Sequence, residues 1–195
     1  MVMQITGPWG KLTIFNVYNN GEQDNTIRLL TDYHSRHKDS LEHTTMGEVH
    51  IIWVGDFNRH HPLWNSPKDT QLFTNEAMDA TEKLIEAIMD IGLELALPSG
   101  IPMHEHNFTK CWSRLDQVFL STYSKEVLTT YNMLPEQRGI NTDHLSILTE
   151  LRLEVAIIEA KAIPNFRSIN WDDFRDELWK QIRSRNQLVS RTRCN

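Results

Sequence analysis

Two cysteines, Cys111 and Cys194, are all the thiol chemistry in these 195 residues. That number and placement exclude a disulfide framework and any cysteine-based metal spacing, and fit a reducing, intracellular compartment. Cys111, beside Trp112, reads as a buried or loop thiol. No apolar run is long enough to span a bilayer, and no positively charged start precedes an apolar stretch, so neither a membrane span nor a secretion signal is expected. Internal repeats and low-complexity segments are also lacking. An excess of positive charge is missing too. The net charge of −6 argues against a broadly basic nucleic-acid binder. What remains is a chain with 39% hydrophobic residues, enough for one domain with a real core.

The charge is unevenly spread. From Lys161 onward there are eight Lys/Arg against four Asp/Glu, and no acid follows Glu177, whereas Lys180, Arg183, Arg185, Arg191 and Arg193 do. Such a tail fits either a solvated helix end or a phosphate contact. Pro164 is expected to close the first domain, which gives residues 1–160 as one unit and 161–195 as a linker with an amphipathic helix. That helix would run over Trp171–Ile182, with Trp171, Phe174, Leu178 and Ile182 on one face.

Within the first unit, Leu12–Tyr18 reads as a strand and Asn19-Asn20-Gly21 as a turn. Asp24 or Asn25 is expected to cap a helix to about Leu41, and Asp39–Gly47 is polar and loop-like. Val49–Val54 reads as a buried strand and His60–Lys68 as a loop rich in Pro, Trp and His. Thr74 would cap a second helix to about Asp90, with Ala77, Leu84, Ile85, Ile88 and Ile91 at helical spacing. Leu93–Leu97, Leu115–Leu120, the region near Val127–Tyr131 and Leu145–Leu153 are further strands, and Pro98–Pro102 is a loop.

Chemistry concentrates in three places. Val49–Val54 runs into Gly55-Asp56-Phe57-Asn58, and strand ends hold side chains rigidly while opening onto a cleft. If the strand continues, Asp56 and Asn58 point the same way, able to polarise a water and hydrogen-bond a phosphate oxygen. A turn with a capping Asp fits the same residues. Asp116 lies within the apolar stretch Leu115–Leu120, where a carboxylate needs a partner. Asp143-His144 supplies one, because an imidazole bonded to a carboxylate has its tautomer fixed and can stay protonated near neutral pH.

In that order, GDFN, Ser113-Arg114-Leu115-Asp116 and Thr142-Asp143-His144-Leu145-Ser146 resemble the later half of an endonuclease/exonuclease/phosphatase domain. His60-His61-Pro62-Leu63-Trp64 and Leu97–Pro102 are similar to endonuclease domains of non-LTR retrotransposons, of the fungal endonuclease–reverse transcriptase type. The resemblance covers roughly residues 8–155. It implies an α/β fold, part of a four-layer DNase I-like sandwich lacking its first strands, followed by a C-terminal helix.

It also implies a Mg²⁺- or Mn²⁺-dependent endonuclease that nicks DNA by water attack on a phosphodiester. Asp56 would orient or deprotonate the water, and Asn58 would hold the water or a phosphate oxygen. His144, fixed by Asp116, would hydrogen-bond the scissile phosphate. Tyr18 would donate to the same phosphate, and Asp143 would help bind metal. His60, His61 and Trp64 would contact DNA, unless they form a packed surface loop. DNA and a downstream reverse transcriptase domain are the implied partners, in the nucleus.

The family's early Asn and metal-binding Glu strands have no counterpart before Lys11, and Glu22, after the tyrosine strand, is not that ligand. The resemblance therefore implies a domain entered partway through. The alternative is an inactive remnant that at most binds nucleic acid or protein. His60-His61 and His104-Glu105-His106 invite a zinc reading, but neither forms HExxH or pairs with spaced cysteines. No zinc site is expected from them.

Overall fold

Along Gly10–Tyr18, alternation puts Phe15 and Val17 on one face and Leu12 and Ile14 on the other. A strand apolar on both faces has to sit inside a sheet covered on both sides. The computed structural model describes residues 1–21, 23–45, 47–153 and 170–180. It begins with β1 (Val2–Gly7), β2 (Gly10–Tyr18), α1 (Asn25–Arg36), α2 (Lys38–Glu42) and β3 (Glu48–Asp56). Next come α3 (Asn75–Ile91), β4 (Leu93–Leu95), β5 (His104–Glu105), β6 (Trp112–Ser113) and β7 (Asp116–Ser121). α4 (Thr122–Glu126), β8 (Leu128–Leu134) and β9 (Ser146–Leu151) follow. Met1–Ala156 and Ile157–Asn195 are separate compact units.

The main sheet has the order β1-β2-β3-β7-β4, with β2 and β3 parallel and its other pairs antiparallel. Its first face carries Phe15, Val17, Ile51, Trp53 and Phe119 into a core completed by Ile27 of α1, Leu41 of α2, and Leu84 and Ile88 of α3. Its second face carries Leu12, Ile52, Val118 and Leu120 toward Leu128, Ile147 and Leu151 of the β8–β9 hairpin. Fully burying one such side chain contributes about 1.5–3 kcal/mol, so two clusters of this size hold both faces. The fold is α/β, part of a DNase I-like sandwich.

Three local readings change. Before Lys11, a stretch for which the sequence suggests no element, β1 pairs with β2 from Val2↔Phe15 to Gly7↔Gly10. Its side chains are largely exposed, so backbone pairing rather than a buried stripe makes it a strand. The expected single helix to Leu41 breaks at His37 (φ −112°, ψ 16°), and the break drops Leu41 into the core. Part of the supposed Asp39–Gly47 loop is therefore α2. Asp24 sits at the N-terminus of α1 without capping it, because its carboxylate is taken by Arg59 (2.7 Å) and Lys83 (2.6 Å). Thr74 does cap α3, its Oγ1 accepting from the Ala77 N–H at 3.2 Å.

In the second unit, residues 171–180 are helical, with Trp171, Phe174, Leu178 and Trp179 each about half exposed. Pro164, Ile182, Cys194 and the tail arginines lie outside the described residues. No helix among the described residues is long and apolar enough to cross a membrane.

Candidate active site

The end of β3 depends on one glycine. Gly55 has φ +138°, and a Cβ there would stand 2.0 Å from the Val17 carbonyl oxygen of β2. That close approach lets β2 and β3 stay paired up to Tyr18↔Asp56, while Asp56 pairs with Asp116 of β7. Tyr18, Asp56 and Asp116 thus form one row at the end of the sheet. Tyr18 is 73% exposed there.

Asn58 reaches Asp56 by a different route from strand alternation. β3 stops at Asp56, and Asn58 takes a left-handed conformation (φ 48°), which Asn tolerates better than most residues. Its N–H donates to Asp56 Oδ1 at 2.9 Å and its Nδ2 to Asp56 Oδ2 at 3.1 Å. Nδ2 also donates to the Asn19 carbonyl at 2.8 Å. The buried Asn19 answers with Nδ2 to the Phe57 carbonyl (3.0 Å), and its N–H donates to the Asp56 carbonyl (2.8 Å). These bonds fasten the Asp56–Asn58 turn to the end of β2.

Burial raises the Asp56 pKa above the ordinary carboxylate range, against the Asn58 N–H, and the Asp116 charge adds to the rise. Across the sheet end, Asp116 Oδ2 lies 2.6 Å from His144 Nδ1. Burial pulls the His144 pKa down, but the Asp116 hydrogen bond and the charges of Asp116, Asp56 and Asp143 outweigh it, leaving a net rise. Asp143 Oδ1 is 3.7 Å from His144 Nε2. The Asp143 pKa is lowered, first by its own backbone N–H and then by the neighbouring histidines.

Trp64 is the clear correction. It is 1% exposed, packs edge-on against Phe119 and donates Nε1–H to the Arg59 carbonyl at 2.9 Å, so it supports the core rather than stacking on a base. His60 is partly buried, with its carbonyl accepting from Thr81, and burial lowers the pKa of both His60 and His61. Leu63, at 55%, is the exposed apolar residue of that loop. Cys111 is exposed and free.

Sequence reasoning missed the residues that brace the site. Arg59, 3% exposed, donates to the carbonyls of Gly21, Gln23, Asn58 and Ala80 and pairs with Asp24. It locks the turn after GDFN to the start of α1 and the second turn of α3. Arg114, 1% exposed, donates to the carbonyls of Leu97 and Pro98, and burial lowers its pKa to about 10. No local pattern marks either arginine as buried. His104, set aside in the sequence for want of ligand spacing, has its neighbours in space in the Asp143-His144 segment.

The end of the sheet thus presents a carboxylate–amide turn beside a carboxylate–imidazole pair, in a chain of the endonuclease/exonuclease/phosphatase superfamily. Residues 12–148 match the endonuclease–reverse transcriptase family, and the chain belongs to it. The endonuclease domain of a telomere-specific non-LTR retrotransposon superposes with a TM-score of 0.57 at 15% identity, covering 78% of this chain and 63% of that one. A Neisseria 3′ phosphatase bound to a product DNA hairpin gives 0.56 at 17% identity, over 77% and 64%. A Leishmania major AP endonuclease gives 0.53 at 13% identity, over 73% and 50%. At such identities the likeness is one of fold. The chain spans less than two thirds of the length of each of these structures. No curated protein sequence matches it.

Proposed function

We propose that this chain is the endonuclease part of a retroelement protein, hydrolysing a DNA phosphodiester with the help of a divalent cation. The observation that carries the reading is the 2.6 Å Asp116–His144 contact, set beside the Asp56–Asn58 turn by the register of β3 and β7. Asp56 orients the attacking water and, with its raised pKa, is a better proton acceptor than an ordinary carboxylate. Asn58 holds that water or a phosphate oxygen. His144 donates to the scissile phosphate through Nε2, while Asp116 holds Nδ1 and so fixes the tautomer. Tyr18, exposed at the end of β2, donates to the same phosphate.

The donors fit a hard cation. Asp56 is half-buried opposite a second carboxylate, and among the described residues it hydrogen-bonds to Asn58 and joins no ion pair. A divalent cation relieves that repulsion, and carboxylate oxygens suit Mg²⁺ or Mn²⁺. Asp143 would help hold it. When bound, the cation supplies charge neutralisation at the phosphoryl oxygens. DNA is the substrate in this reading, the 161–195 segment leads toward a reverse transcriptase domain, and the site of action is nuclear.

Nicking of supercoiled plasmid in Mg²⁺ or Mn²⁺, with a chelator as control, tests the proposal. Cation-dependent nicking that is lost in Asp56→Ala supports it. Well-folded protein that binds DNA without cleaving it moves the function to a binding remnant.

A further inference from the structure

His104 has no task in the mechanism above, yet the fold holds it against the residues that do. Glu105 N–H donates to the Asp143 carbonyl and Leu145 N–H to the Met103 carbonyl, each at 2.8 Å. These bonds place His104 opposite His144 in an antiparallel bridge, with ring centroids 4.8 Å apart. Both imidazoles then aim at one carboxylate: His104 Nε2 lies 3.5 Å from Asp143 Oδ2, and His144 Nε2 lies 3.7 Å from Asp143 Oδ1. Their Nδ1 atoms are engaged on the far side, His104 with Ser113 Oγ at 3.3 Å and His144 with Asp116 Oδ2 at 2.6 Å. One ligand atom from each of the three residues lies within 4.8 Å of the others.

We infer that His104, Asp143 and His144 form a binding site for a borderline divalent cation of the Zn²⁺ type, distinct in its ligand chemistry from an oxygen-lined Mg²⁺ site. The donor set is two nitrogens and one oxygen, with a fourth position for water. This composition suits Zn²⁺ or Co²⁺, whereas Mg²⁺ prefers oxygen and keeps its waters. Ligands about 2.0–2.1 Å from a tetrahedral ion stand about 3.3 Å from one another, and the three ligand atoms, all within 4.8 Å, reach that spacing by side-chain rotation. Metal-bound imidazoles characteristically have Nδ1 held by a carboxylate or another polar partner, as both do here. The site draws one residue from the His104-Glu105-His106 run and two from a distant segment, which is why spacing along the chain did not reveal it.

A consequence, resting on the phosphodiesterase reading, is inhibition. A cation on His144 Nε2 occupies the atom that would donate to the phosphate and takes Asp143 from the Mg²⁺ site. Zn²⁺ would therefore suppress Mg²⁺-supported cleavage.

The test is optical and independent of cleavage. The whole chain is titrated with Co²⁺ and the visible d–d bands of a low-coordinate nitrogen-ligated ion are followed. The expected result is one tight Co²⁺, displaced by equimolar Zn²⁺ but not by about a hundredfold excess of Mg²⁺. His104→Ala, His104→Gln and Asp143→Asn should each weaken Co²⁺ binding by about tenfold or more. His106→Ala, on the neighbouring exposed histidine, should leave binding intact. Thermal melts of each variant report folding, and the two His104 replacements guard against a single misfolded protein. Absence of the bands, unchanged binding in folded His104 variants, or displacement by equimolar Mg²⁺ would overturn the inference.

Discussion

Gly55→Ala tests how the Asp56–Asn58 turn is held. The new Cβ would stand 2.0 Å from the Val17 carbonyl oxygen, closer than real Cβ atoms come, so β2 and β3 must part by about an ångström. Backbone strain at φ +138° costs about 1–3 kcal/mol in a residue with a side chain. Parting the strands weakens about two bonds of the local ladder, including Asn19 N–H to the Asp56 carbonyl, at about 1 kcal/mol each. The total is about 3–5 kcal/mol, a large share of the 5–15 kcal/mol typical of a folded domain. For a unit of this size each kcal/mol moves Tm by about 2–4 °C, which gives a fall of about 6–20 °C. Circular-dichroism melts measure it, and amide chemical shifts at Val17, Asn19 and Asp56–Asn58 should move together. A variant that melts within about 2 °C of the parent, with those shifts unchanged, would refute the reasoning.

Trp64→Ala should destabilise the unit by about 3–5 kcal/mol in urea unfolding, since the ring is buried and its Nε1–H is bonded; a loss under about 1 kcal/mol would return Trp64 to the surface. The His144 pKa is raised in the folded protein, so its pairing with Asp116 stabilises fully below the ordinary histidine value and fades as pH rises through the folded one. Stability measured against pH should therefore fall through that window in the parent and lose the step in His144→Ala. Cleavage should need ionised Asp56 and protonated His144, giving a bell-shaped profile whose alkaline limb moves to lower pH in Asp116→Asn. An unmoved limb would detach Asp116 from the imidazole's titration.

The parts of this site legible in sequence are those whose signal is local. A strand that ends in Gly-Asp, a carboxylate at the head of β7 and an Asp-His pair before β9 each stand out in a few residues. Their order supplied the rest. Strand alternation does not bring the Asn58 amide to Asp56; the turn with a capping Asp, which the same residues allow, does so through a left-handed Asn58. The features that escaped depend on partners far along the chain. β1 is exposed and becomes a strand only through its ladder with β2. Trp64 sits in a loop of His, Pro and Asn, and only the position of Phe119 shows that the ring is swallowed. Asn19, Arg59 and Arg114 are buried polar groups that donate to distant carbonyls. His104 gains meaning only from the bridge to His144.

In the proposed reaction Asp56 and His144 act on the same phosphate. Single-turnover plasmid nicking by the parent, Asp56→Ala, His144→Ala and the double variant tests this most directly. Each single change should lower the rate by about 10²–10⁴-fold, and the double change should cost far less than the product of the two, because residues that act as a unit are not additive. Parent-like nicking by either folded single variant would contradict the shared site.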